Sequence, residues 1–113
     1  MAFSEIEIRR TDKLVGGLCR QRNRPEFHDQ LHLEYRIKAH DVVIFEVRPR
    51  WKGPGTMEHN VAKMKLVKTT GIWRLFWERK DLKWHSYDPL PASDDLAQLV
   101  REVDRDPYGC FFG

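Results

Sequence analysis

Only two cysteines occur in the 113 residues. Cys19 and Cys110 lie far apart and fit no zinc or redox spacing, which predicts reduced thiols and a cytoplasmic protein. No apolar run approaches the roughly 18 residues a membrane span needs, so no membrane partner is expected. The segment from Met1 to Glu5 has neither a basic n-region nor an apolar h-region, and no signal peptide is expected. Charge of one sign is also scarce: 20 Lys and Arg stand against 17 Asp and Glu, a net charge of +3. No internal repeat or low-complexity tract occurs. No G-x-G-x-x-G or Walker pattern surrounds Gly16-Gly17, which excludes a phosphate-binding loop there. What is present is 41% hydrophobic and 12% aromatic residues, enough for one core. That composition excludes a disordered tail and sets a single domain over residues 1–113.

The apolar period changes along the chain. Phe3, Ile6, Leu14 and Leu18, with Val15 and Cys19 beside them, predict a helix from Ser4 to about Asn23. Ser4 and Glu7 have the spacing of a capping box, and Pro25 ends the segment. Gly16-Gly17 marks either a helix end or a close approach to a sheet. From Leu31 the period is two, with Leu31, Leu33, Tyr35 and Ile37 on one face. Further strands are expected over 43–48, 61–68, 72–79 and 83–87, with residues 49–60, which hold two Pro and two Gly, as a loop. Ser93 caps a second helix carrying Leu96, Leu99, Val100 and Val103 at i, i+3, i+4, i+7. The apolar tail Tyr108–Gly113 is expected to dock on the core or add an edge strand. The order α-β-β-β-β-β-α predicts an α+β fold: a five-stranded antiparallel meander with both helices on one face.

Three turns then fix an expected register. A three-residue turn at 39–41 pairs Tyr35 with Phe45, a turn at Thr70-Gly71 pairs Met64 with Trp77, and a turn at Lys80-Asp81 pairs Trp77 with Trp84. Each gives one apolar face. The other face then carries Lys63, Lys65, Arg74, Lys83, His85, Phe76 and Tyr87. Residues 31–88 hold 12 Lys and Arg against 7 Asp and Glu, so the positive charge is expected on this face. Cations neutralise phosphates and flat rings stack on bases, a pattern suited to single-stranded nucleic acid or another polyanion. Solvated sheet faces are also rich in Lys and Arg, so the alternative is a plain solubility surface.

The same register sets Glu34 opposite Glu46, with His32 nearby. Like charges facing across strands are unfavourable unless Arg36 and Arg48 neutralise them or a divalent cation is held there. Glu46-Val47-Arg48 resembles the Glu-x-Lys strand motif of restriction-endonuclease-like folds, with Arg in place of Lys and Asp41 too close to act as the preceding ligand. A metal-dependent nuclease is the enzymatic alternative; an Arg–Glu network is the structural one, and no metal or cofactor is assigned. His28-x-x-x-His32 lacks the helical context of a zinc motif. No serine nucleophile elbow or other catalytic set is present. An exposed Trp51 in the loop Arg48–Gly55 would suit a protein contact, the second non-enzymatic reading.

Ala2-Phe3-Ser4, Lys13-Leu14-Val15-Gly16, Leu33-Glu34-Tyr35-Arg36-Ile37, Ile44-Phe45-Glu46-Val47-Arg48-Pro49, Trp84-His85-x-Tyr87, Pro89-Leu90-Pro91 and the terminal Cys110-Phe111-Phe112-Gly113 together resemble a family of small bacterial proteins classed as a domain of unknown function. The resemblance covers nearly the whole chain. It implies a bacterial source and carries over no catalytic residue. Ligand identity, biological process and oligomeric state are left open by the sequence.

Overall fold

The computed structural model describes residues 3–23 and 31–113. Pro25 and His28 lie outside the described residues, as do Met1 and Ala2. Helix α1 (Glu5–Thr11) opens on the expected capping box: Ser4 Oγ accepts from the Glu7 N–H, and the Glu7 carboxylate accepts from the Ser4 N–H. A π-helical turn (Asp12–Gly16) leads into α2 (Gly17–Arg22). Gly16 is the reason the helix can approach the sheet. A Cβ there would stand 2.7 Å from Asp12 Oδ1 and 3.2 Å from Tyr35 Cε1. Asp12 uses that space to accept a 2.6 Å hydrogen bond from the Tyr35 hydroxyl. A π turn carries more residues per turn than an α turn, so a uniform 3.6-residue stripe does not run through it. Ile6 is accordingly 78% exposed, while Thr11 is buried.

The sheet is an antiparallel meander in the order β1-β2-β3-β4-β5: β1 (His32–Lys38), β2 (Asp41–Pro49), β3 (Thr56–Val67), β4 (Ile72–Glu78) and β5 (Trp84–Ser86). A short β6 (Ala92–Ser93) returns to the β4 edge. Asn23 closes the helix–strand junction, exchanging two side-chain hydrogen bonds with the Leu33 backbone.

The strand registers differ from expectation in an instructive way. The first turn has two residues, Ala39-His40, with Ala39 at positive φ, so Leu33 pairs with Glu46, Tyr35 with Ile44 and Ile37 with Val42. One residue of slip turns β2 over: Val42 and Ile44 enter the core, and Val43, Phe45 and Val47 face outward. Residues 42–45 are all apolar, so alternation gave no sign of which half turns inward. A bulge between Ile44 and Phe45 sets Ala62 and Asn60 as successive partners and adds Val61 to the core. Between β3 and β4 the register is two residues away from expectation, Met64 on Leu75 and Leu66 on Trp73, which preserves the faces. Between β4 and β5 the loop gains Leu82 at positive φ, and Trp77 pairs with His85 and Glu78 with Trp84. Trp84 therefore faces outward, away from Trp73 and Trp77, and Tyr87 turns into the core.

The core lies between the inner sheet face, α2, α3 (Leu96–Arg105) and the tail. Asp95, not Ser93, caps α3 by accepting from the Ala97 N–H; Ser93 Oγ instead accepts from the Asp95 N–H. Leu96, Leu99, Val100 and Val103 are buried as their spacing predicts. Tyr87 is 0% exposed, donates its hydroxyl to Glu102 at 2.7 Å and packs on Phe111 at 4.9 Å. The tail docks on the core. Asp106, in a left-handed conformation, accepts the backbone N–H groups of Phe111 and Phe112, and Phe112 lies 3.7 Å beneath the Arg22 guanidinium. Among the described residues no helix is long and apolar enough to cross a membrane.

Candidate functional site

Both helices and the tail pack on one face of the sheet, and the described residues leave the other uncovered. Successive cross-strand partners arrange that outer face in rows. The row nearest the β1–β2 turn reads Lys38, Asp41, Lys65, Arg74. The next reads Arg36, Val43, Lys63, Phe76, Ser86. A third holds Glu34, Phe45 and Asn60, and continues through the 2.8 Å bond from the Asn60 amide to Glu78, beside Trp84. The last holds His32, Val47 and Glu58. Five cations and four carboxylates make the face nearly balanced in total and polarised along the strands. The cations gather toward the β1–β2 turn and the carboxylates toward the opposite end.

Pairing sharpens that polarity. Arg36 crosses 4.1 Å above the Phe45 ring to reach Glu58 at 2.6 Å, and His32 lies 2.8 Å from Glu34. Among the described residues, Lys63, Lys65 and Arg74 have no ion-pair partner. Lys63 instead holds its ammonium 5.0 Å from the Phe76 ring centre and 5.4 Å from that of Trp84. A cation–π contact between partly exposed groups is worth about 0.5–2 kcal/mol, less than a direct phosphate contact can return, so an anion can draw Lys63 off the rings. Beside them Lys65, Val67, Thr70, Ile72, Arg74 and Phe76 frame an open groove of about 480 Å³, within the size range of sites for small ligands.

Of the residues expected on this surface, Lys63, Lys65, Arg74 and Phe76 are brought together. Lys83 is exposed in the β4–β5 loop, one residue before β5. His85 points to the core side and bonds Asp81 at 2.8 Å; the Asp81 carboxyl is held below its usual range by the Lys83 N–H and then by His85. Tyr87 is no part of the surface, because Leu82 adds one residue to the preceding turn. Trp84 takes the aromatic place, and only the turn length concealed it. Trp51 is 87% exposed at the tip of the β2–β3 hairpin, remote from the groove.

The Glu34–Glu46 pair does not exist. Glu34 pairs with Phe45, and Glu46 faces the core side, 8% exposed and 3.1 Å from Arg48. With the two carboxylates on opposite faces, His32, Glu34 and Glu46 cannot share a cation. Among the described residues, no group of three or more His, Cys, Asp or Glu is placed to hold a metal. The acid–phenol pair of Asp12 and Tyr35 lies on the core side. The Tyr35 hydroxyl and Arg20 hold the Asp12 carboxyl below its usual range, and burial and Asp12 push Tyr35 up to about 12. Burial raises the Cys19 thiol to about 11, which leaves it a poor nucleophile.

A meander sheet clasped on one side by helices, with a polarised face on the other that the described residues leave uncovered, defines a small α+β protein. The chain belongs to the family described as Domain of unknown function (DUF3024), whose model matches residues 3–113. No curated protein and no solved structure matches the chain.

Proposed function

We propose that the outer sheet face binds single-stranded nucleic acid, or a polyanion of similar charge spacing, without catalysing a reaction on it. One observation carries this reading: Lys63, Lys65 and Arg74, none ion-paired among the described residues, lie beside Phe76 on a sheet face that the described residues leave uncovered, and Lys63 also reaches Trp84. Phosphates take the three cations, and a base takes the ring that Lys63 vacates. The same reading takes the chain as a cytoplasmic bacterial protein, in which Cys19 and Cys110 remain free thiols.

Fluorescence anisotropy with a labelled single-stranded oligonucleotide tests it. Three phosphate contacts give a log–log salt slope of about −2, since each contributes about −0.7 on a single strand. The double variant Lys65→Ala/Arg74→Ala is expected to bring the slope to about −0.7. Absence of binding by the wild type at high micromolar protein and low salt removes the proposal and leaves the face a solubility surface.

A further inference from the structure

The positive charge of residues 31–88 does not all lie on the outer face. Arg48, Arg50 and Lys52 belong to the β2–β3 hairpin, and residues 48–57 contain no carboxylate. Among the described residues this hairpin extends past the rest of the sheet. The β1 pairing stops at His32 and Val47, and the β4 pairing of β3 begins at Lys63, whereas β2 and β3 stay paired as far as Pro49 and Thr56. A backbone bond from the Arg50 N–H to the Gly55 carbonyl, 3.1 Å, carries the ribbon to its tip. Every residue from 48 to 59 is exposed. Segment 49–60, which its Pro and Gly content marks as a loop, is therefore a two-stranded arm, and its Pro and Gly shape the tip, where Gly53 and Gly55 hold positive φ. Trp51 stands there at 87% exposure with the Lys52 ammonium 5.1 Å from its ring.

We infer that this arm is a second nucleic-acid contact that enters the groove of a duplex, so that the ligand is a duplex carrying a single-stranded tail. The inference rests on the outer-face reading. Two strands about 4.8 Å apart with their side chains match the roughly 12 Å major groove, which admits a two-stranded ribbon. Arg50 and Lys52, without ion-pair partners among the described residues, meet the phosphates on either side. The indole of Trp51 supplies an apolar wedge or stacking plate. The arm is not a continuation of the single-strand track. It rises from the end of β2 and β3 opposite Lys65 and Arg74, in a molecule 45 Å long, and Glu34, Glu58 and Glu78 lie between. A phosphate backbone following the outer face would cross those carboxylates, so the two cationic sites take separately oriented parts of one ligand.

The test compares a single strand, a blunt duplex and a tailed duplex, each labelled, against wild type, Trp51→Ala and Lys65→Ala/Arg74→Ala. The tailed duplex is expected to bind about tenfold or more tighter than either part, because one contact raises the effective concentration of the other. Trp51→Ala is expected to weaken both duplex ligands about tenfold and to leave the single strand unchanged, with an unaltered melting temperature because the side chain is exposed. The outer-face variant is expected to weaken the single strand and the tailed duplex and to leave the blunt duplex unchanged. Unchanged duplex binding by Trp51→Ala overturns the inference, as does a tailed duplex that binds no tighter than the single strand. A blue shift of Trp51 emission on phosphatidylserine vesicles, with none on any nucleic acid, overturns it in favour of a membrane surface. A wild type that ignores single strands but binds duplex through Trp51 breaks the outer-face reading, and with it the tailed ligand, while the duplex contact of the arm stands.

Discussion

On the core face Val42, Met64, Leu75 and Tyr87 are shut from water by helices and tail; on the outer face of the same sheet Val43, Phe76 and Trp84 stay half-buried, with the Lys63 ammonium over the two rings. The polar groups of the two faces are satisfied by different means. Tyr87 gives its hydroxyl to Glu102 within the fold, a contact that nothing outside can replace without unfolding. Phe76 and Trp84 share one ammonium, that of Lys63, which on the proposed function gives way to a phosphate and a base. The inner aromatic thus serves stability, whereas the outer pair is, on the proposed function, left for the ligand.

Adjacent residues of β4 give the sharpest way to break this contrast. Leu75→Ala is expected to cost about 2–5 kcal/mol in chemical denaturation, and Phe76→Ala about 1 kcal/mol. Equal costs would mean that the outer face is packed as tightly as the inner one. In binding the order reverses: Phe76→Ala or Trp84→Ala is expected to cost about 1–3 kcal/mol of affinity for a single strand with the salt slope unchanged. Arg74→Ala is expected to flatten the slope by about 0.7. Those two signatures separate stacking from charge. Tyr87→Phe is expected to cost about 1–2 kcal/mol of stability and nothing in binding, which checks that this ring belongs to the core.

The smallest effect is acid sensitivity, expected on the core side. The Tyr35 hydroxyl and Arg20 favour the ionised Asp12, so its folded pKa lies below the unfolded one. Its contribution is present above the ordinary carboxylate range, about pH 4, and is lost as pH falls through the lowered value. Asp12→Asn is expected to narrow the difference in melting temperature between pH 7 and pH 3. An unchanged difference would remove Asp12 as an acid-sensitive tie.

The sequence announced the order of elements because its period changes from helical to alternating at Leu31 and back after Ser93. It announced the faces of β3 and β4 even with the register two residues out, since an even slip preserves the pleat. Odd slips turned β2 and β5 over. At β2 four consecutive apolar residues removed the alternation that would have exposed the error. At β5 a leucine adopts a positive φ that Gly or Asn would have signalled. Lys63, Lys65, Arg74 and Phe76 were therefore legible as one surface, whereas Trp84 and Tyr87 exchanged places. The arm went unread because Pro49 and Pro54 signal loops, while an exposed two-stranded ribbon tolerates Pro at its ends.

Arg22 is gripped by Asp104 at 2.9 Å and lies on Phe112, joining the first helical segment to residues 82 and more positions later. Contacts of such separation are slow to find, and these two need α3 as far as Asp104 and the tail as far as Phe112. A nascent chain that has released the sheet alone lacks Phe111 over Tyr87, and its N-terminal helix has nothing to grip at Arg22. The segment that ends at Arg22 is thus tied early to β1, through Asp12 on Tyr35 and Asn23 on Leu33, and clamped against α3 and the tail only later, through Arg22.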